Sequence, residues 1–156
     1  MDAEEVKLPY SRGYFDCILC ADILEHLRDP LSTLIKLSYY LGHNGAIIAS
    51  IPNVRYYKVI IRLVCGGTWD YVESGILDRG HIRFFTLINI RELFMAAGFQ
   101  VVEIRRNIVA ARGFRMLNLL FFNRLKDFLV YQYYIKATKQ EDRSFALVKK
   151  REVQQF

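Results

Sequence analysis

The sequence predicts an α/β domain organised on parallel strands, and two stretches carry that prediction. Phe15–Ala21 (FDCILCA) is a nearly unbroken apolar run long enough only for a strand, and it stops abruptly at Asp22, Glu25 and His26 before a helix start. Ala46–Ile51 (AIIASI) is a second such run, one amphipathic helix further on. Strand, crossover helix and strand make a parallel unit, whose strands are expected to be buried on both faces.

Residues 1–14, with Pro9 and Gly13, read as a loop entering the first strand. Asp29-Pro30 predicts an N-cap followed by proline at the first helical position, where the missing N–H costs nothing. Leu31, Leu34, Ile35, Ser38 and Leu41 keep helical spacing, and Gly42 is the expected left-handed stop. A turn, GHNG, then feeds the second strand, which Pro52 ends. Asn53–Cys65 reads as a helix striped by Val54, Tyr57, Ile61 and Val64 and stopped at Gly66-Gly67.

The next segment, TWDYVESGILDRGHIRFFT, sustains no period, as lids and binding loops do. Thr86 caps a helix over Leu87–Ala97, and Gly98 stops it. Phe99–Arg106 reads as a strand with Val102 and Ile104 on one face. Arg112–Leu129 reads as a helix lined by Phe114, Leu117, Phe121, Leu125 and Phe128. Tyr131–Lys139 is the expected last strand, its pairing sense left open by periodicity. The organisation is thus one domain over residues 1–139 and a polar tail over 140–156.

The formal charge of +6 is unevenly spread: residues 1–104 carry net −2 and residues 105–156 net +8. The basic third does not interleave its cations with aromatic residues on a strand platform, which argues against a nucleic-acid partner. Three cysteines, an odd count, and an acidic start without a secretory pattern point to a reduced, cytoplasmic setting. Cys17 and Cys20 are an odd number of residues apart in a strand and face opposite ways, unlike a redox or zinc pair. No apolar run is long enough for a membrane span.

FDCILCADILEHLRDP, AIIASIPN, GILDRGHIRFFT and AAGFQVVEI, in this order, resemble the second half of class I S-adenosylmethionine-dependent methyltransferases. The likeness is to the small-molecule group with LEH after the fourth strand and H-x-R-F-F-T before a late helix, and it spans residues 2–139. It implies a partial Rossmann-like sheet comprising the family's strands four to seven, mixed, with the last strand antiparallel and helices on its flanks. In the family's order of 3-2-1-4-5-7-6, Phe15–Ala21 is strand four, Ala46–Ile51 strand five, Phe99–Arg106 strand six and Tyr131–Lys139 strand seven. Strands one to three, with the glycine-rich cofactor loop, then lie outside this chain, and none of its nine glycines forms a G-x-G cluster.

The resemblance implies S-adenosylmethionine as cofactor, with Asp2, Ala3, Ala21 and Asp22 on its side of an incomplete site. Methyl transfer is an in-line displacement that needs alignment and, for an oxygen or carbon nucleophile, a base. His26 and His81 are the candidate catalytic residues, since imidazole titrates in the useful range. His26 has a plainer alternative as a helix-entry histidine bonded to backbone. Glu25 could orient it or, as in quinone-type relatives, meet a metal, with a solvated first-turn acid as the plain alternative, and no metal site is assigned. Asn53, Tyr57, Trp69 and Arg83 are the candidate contacts for a small-molecule acceptor, Arg83 because a guanidinium fork suits an anion. Packing for the aromatics, and a tie between insertion and core for His81 and Arg83, are the plain alternatives.

The expected partners follow from the same reading. With its neighbour outside the chain, Phe15–Ala21 becomes an open edge, which predicts a homodimer or partner subunit covering it and leaves, as the alternative to an enzyme, a catalytically inactive interaction or dimerisation module pairing through that strand. Arginines 105, 106, 112 and 115 read first as a solvated face; with the apolar side of Phe114–Phe121 they raise, as the alternative, a contact with a membrane surface or an acidic partner.

Overall fold

The computed structural model describes residues 8–109, 112–122 and 124–140. Four strands form one mixed sheet: β1 (Phe15–Ala21), β2 (Leu41–Pro52), β3 (Phe99–Ile108) and β4 (Val130–Lys139), in the order β1-β2-β4-β3. β1 and β2 are parallel, while β4 runs antiparallel to both β2 and β3. This is the partial Rossmann-like arrangement expected for the family's strands four, five, seven and six, and it settles the pairing sense of the last two strands.

The helices are α1 (Pro30–Tyr40), α2 (Tyr57–Gly66), α3 (Leu87–Ala96) and α4 (Arg112–Leu120), with 3-10 turns at Leu24–His26 and Lys126–Leu129. Local chemistry explains their ends. Asp29 caps α1, its carboxylate accepting from the Ser32 N–H at 3.0 Å, with Pro30 at the first position. Thr86 and Asn89 form a reciprocal capping box on α3. Gly67, at φ +64°, closes α2 in the left-handed conformation. One main core lies between the sheet and α1 and α3, built from Leu24, Leu34, Leu41, Ile47, Ile51, Ile90, Phe94, Phe99, Tyr133 and Ile135.

Several expectations are corrected. β1 is not buried on both faces: Ile18 and Cys20 turn to the core while Cys17 and Leu19 point outward, Leu19 being 65% exposed. Among the described residues nothing packs on that outer face. Gly42 is not a helix stop, because Leu41 is already extended and Gly42 lies inside β2. There a Cβ would approach the Phe15 carbonyl oxygen to 3.4 Å. The expected GHNG turn is an excursion within the strand, since Phe15 pairs with Leu41 but Cys17 already pairs with Ala46.

α2 starts at Tyr57 rather than Asn53, because Asn53 is held in a bridge to Phe85, and the helix buries Val59 while Ile61 and Val64 face solvent. In β3 the register slips between Val101 and Glu103, so Val101 and Ile104 reach the core and Val102 is exposed. The expected long helix over Arg112–Leu129 is two pieces, with Phe122 at φ +50° between them and Phe121 exposed. The side chains of Arg112, Phe114, Arg115 and Leu117, and the tail beyond residue 140, fall outside the described set.

Candidate functional site

β1 delivers the chain to the C-terminal rim of the parallel strands, and the peptide turns sharply there. Asp22 adopts φ +49°, a left-handed conformation uncommon outside glycine. Neighbouring strands hold it in place: its N–H donates to Ser50 Oγ at 3.0 Å and to the Ser50 carbonyl at 3.3 Å, both in β2. Gln132 of β4 donates its amide N–H to Asp22 Oδ1. Leu24, fully buried in the core, then anchors the 3-10 turn that carries Glu25 and His26.

The irregular segment from residue 68 to 85 folds back onto this turn. Its Ile82 and Arg83 N–H groups both donate to the Glu25 carbonyl at 3.0 Å. His26 Nδ1 lies 2.9 Å from the Gly80 carbonyl, so in the neutral ring Nδ1 carries the proton and Nε2 the lone pair. Position 80 is tight, since a Cβ there would sit 3.1 Å from the imidazole of His26 and from Asp78 Oδ1.

His81 is buried behind His26, with the two rings edge to face at 4.7 Å. Its Nδ1 likewise donates, to the Ile76 carbonyl at 3.0 Å, and its Nε2 lies 3.9 Å from Glu25 Oε1. Glu25 is 1% exposed, and neither carboxylate oxygen has a hydrogen-bond partner. Burial pushes its pKa up to about 7, and Asp22 nearby adds to the rise, against the opposing pull of its own backbone amide and of His26. A carboxyl group whose burial favours its protonated form therefore lies beside the His81 imidazole.

Glu25, His26 and His81 also offer one ligand atom each within 4.8 Å of one another. Two imidazole nitrogens and a carboxylate oxygen are a donor set that suits a zinc-like divalent ion, and both Nδ1 atoms are already oriented by backbone carbonyls. Each of these residues is visible in the sequence as a residue type, but nothing there shows that His81 stands against Glu25, because the segment that carries His81 lacks any period.

The other sequence-named residues are placed as follows. Ala21 and Asp22 are exposed at the rim, and Asp2 and Ala3 lie outside the described residues. Asn53 is fully buried, with Nδ2 donating to the Asp127 and Val130 carbonyls at 2.8 Å and Oδ1 accepting from the Arg55 N–H at 3.1 Å. Its polar atoms tie the end of β2 to the start of β4. Tyr57 packs on Tyr56 at 4.7 Å and Trp69 on Phe84 at 5.1 Å, within a second apolar cluster around Val59, Ile76 and Leu77. Arg83, exposed, donates to the Arg28 carbonyl and so fastens the insertion to the loop before α1.

A hollow of 220 Å³ lined by Tyr56, Val59, Ile76, Leu77 and Tyr131 borders the insertion. The larger cleft, 780 Å³ and lined by residues including His43, Arg91, Val101 and Lys139, opens at the opposite end of the sheet and contains none of the site residues. Chemistry and rim position outweigh size here, because ligands of open α/β sheets bind outside the carboxyl ends of the strands.

The ubiquinone biosynthesis O-methyltransferase of Aromatoleum aromaticum is 28% identical over 105 residues, which is 65% of this chain and 43% of that protein. The fold is shared with a SAM-dependent methyltransferase of Archaeoglobus fulgidus, at TM-score 0.62 and 16% identity over 89% of this chain and 66% of the other. It is shared too with the 1,6-didemethyltoxoflavin-N1-methyltransferase of Burkholderia thailandensis, at TM-score 0.54 and 16% identity over 90% of this chain and 49% of the other. The chain thus spans less than half of the curated relative and about two thirds or less of these structures. A family model described as a methyltransferase domain matches residues 2–104, and the chain belongs to that family.

Proposed function

We propose that this chain is the acceptor-side, C-terminal portion of an S-adenosylmethionine-dependent methyltransferase acting on a small molecule. The observation that carries the proposal is the convergence of Asp22, Glu25, His26 and His81 at the carboxyl end of β1, two of them buried. The cofactor, when bound, supplies a methyl group on a sulfonium. Ala21 and Asp22, exposed at the strand end, fit one side of it, together with Asp2 and Ala3 by family resemblance.

The chain's own residues then have distinct tasks. His26, exposed at the rim with its ring fixed through Nδ1 by Gly80, is the acceptor of a proton from a hydroxyl or amine nucleophile. His81 and Glu25 support it from behind. Arg83 retains guanidinium donors for an anionic acceptor beyond the bond to Arg28, and Tyr57 and Trp69 wall the apolar side. Asn53 contributes by holding the strand ends together. Three free thiols suit a reducing, cytoplasmic setting.

Calorimetric titration with S-adenosylhomocysteine, alongside thermal shift, tests the proposal. Saturable binding weakened by Asp22→Ala is expected, and neither heat nor shift at millimolar ligand would sink it. Transfer to a catechol- or amine-type acceptor is expected to fall by about 10²–10⁴-fold in His26→Ala with cofactor binding kept.

Among the described residues β1 is an edge strand, which supports a second reading, in which a second copy or a partner subunit adds a strand beside Phe15–Ala21. Light scattering is expected to give an assembly. A well-behaved monomer at micromolar concentration would count against it.

A further inference from the structure

Between β3 and β4 the chain inverts the usual arrangement of polar and apolar groups. In α4 the polar Asn118 is buried, 8% exposed, and its Oδ1 accepts from the Leu125 N–H at 3.0 Å. Met116, Leu119 and Leu120 lie on the opposite side and face solvent, Leu120 at 71%. Positions 116, 119 and 120 fall within one third of a helical turn of each other, so they form one continuous outward stripe. Phe121 follows it, and Phe122, at φ +50° and 90% exposed, throws its ring clear of the body. Ile108 and Val109, at the end of β3, are exposed as well.

Phe122 costs the fold backbone strain without returning any packing. Its N–H nevertheless donates to the Leu119 carbonyl at 3.0 Å, and the Arg124 N–H to the Phe121 carbonyl at 3.0 Å, so both rings sit on a hydrogen-bonded turn. An outward apolar group of this size marks a contact surface.

Charge identifies the contact. Residues 105–129 hold six arginines and lysines against a single acid, Asp127, whose carboxylate lies 3.7 Å from Arg106, while Arg105 pairs at 2.6 Å with Glu103 just before this span. Arg124 and Lys126 are exposed directly after the two phenylalanines. A second copy docking through the same patch would set these like charges against each other. An anionic bilayer satisfies both features, taking up the rings below its headgroups and pairing the cations with them. The described helices include none long and apolar enough to cross a membrane, so the contact is peripheral.

We infer that α4 and the Phe121-Phe122 turn dock this domain on the surface of an anionic phospholipid membrane. α4 leaves from the end of β3 at the same rim as Asp22 and His26, since β3 and β4 meet there through Ile108 and Val130. The inference stands on the exposed stripe and its charge, independently of methyl transfer.

Co-sedimentation of the full chain with vesicles tests it, comparing phosphatidylcholine alone with phosphatidylcholine containing about one third phosphatidylglycerol. Binding is expected only to the anionic vesicles and is expected to weaken as salt rises. The Phe121→Ser/Phe122→Ser variant is expected to lower partitioning about a hundredfold, on the basis of about tenfold per ring. Arg124→Glu/Lys126→Glu is expected to lower it and to flatten the salt dependence. These side chains are exposed, so circular dichroism should match the parent; Leu120→Ser supplies an independent variant on the helix itself. Failure of the parent to bind anionic vesicles at low salt, or unchanged binding by both Phe121→Ser/Phe122→Ser and Leu120→Ser, overturns the inference. So does self-association of the parent that the double variant abolishes in the absence of vesicles, which would assign the patch to a protein contact.

Discussion

At the carboxyl end of β1 the chain buries a carboxyl group and an imidazole, whereas between β3 and β4 it exposes two phenyl rings and a stripe of aliphatic side chains. Both regions leave from one rim of the sheet, and both reverse the ordinary partition of polar and apolar groups. The core does not need either reversal. It is complete without them, made of α1 and α3 packed on the sheet. The buried pair suits proton chemistry and the exposed patch suits adhesion, so the two departures sort by kind of function rather than by distance from the core.

The contrast can be broken most forcefully at its anchors. Leu24 is fully buried beneath the Glu25–His26 turn. Leu24→Ala is expected to cost about 2–5 kcal/mol in urea unfolding, with the cavity setting where in that range it falls. An equal loss from Leu120→Ala would mean that α4 packs inward and that the two regions are alike.

The next effect depends on pH. Glu25 keeps its proton in the folded state up to about pH 7, above the ordinary carboxylate range. Its contribution to stability is therefore fully present below that ordinary range and is lost as pH rises through 7, where the buried charge costs up to about 3 kcal/mol. Glu25→Gln is expected to raise the unfolding midpoint at pH 8 relative to the parent and to leave it nearly unchanged at pH 4. Matching pH profiles for the two proteins would show that the carboxylate has found a partner.

How much of this was open to the sequence depends on whether the cause was local. The caps at Asp29 and Thr86, proline at the first position of α1, the span of β1 and the stop at Gly67 each follow from a few adjacent residues and were legible. The slip at Val102 was not, because it depends on how β3 meets β4. Gly42 misled because a glycine after an amphipathic stretch reads as a stop, while its actual constraint is the Phe15 carbonyl across the sheet. Asn53 was placed at the correct rim, but where its amide points was set by Asp127 and Val130, far along the chain. Likewise Glu25 and His81 are each visible as residue types, and only the fold makes them neighbours.

A smaller effect sharpens the contrast at a helix end. Thr86→Ala removes the capping box that orients α3 behind the insertion and is expected to cost about 1 kcal/mol by chemical denaturation. Smallest of all, Phe122→Ser is expected to change stability by no more than about 0.5 kcal/mol, despite replacing the most exposed large apolar side chain described. A loss of several kcal/mol would show that the ring is buried in solution and would remove one side of the comparison.

The two-faced character of β1 also gives the molecule a set of chemical reporters. Cys17 and Cys65 are open to solvent, while Cys20 is buried and its thiol is pushed up to about 11, so it resists alkylation. A maleimide should modify two thiols quickly and the third only when the sheet opens. The kinetics of labelling would then follow, in one unmodified protein, both whether something lies over the outer face of β1 and how often the core breathes.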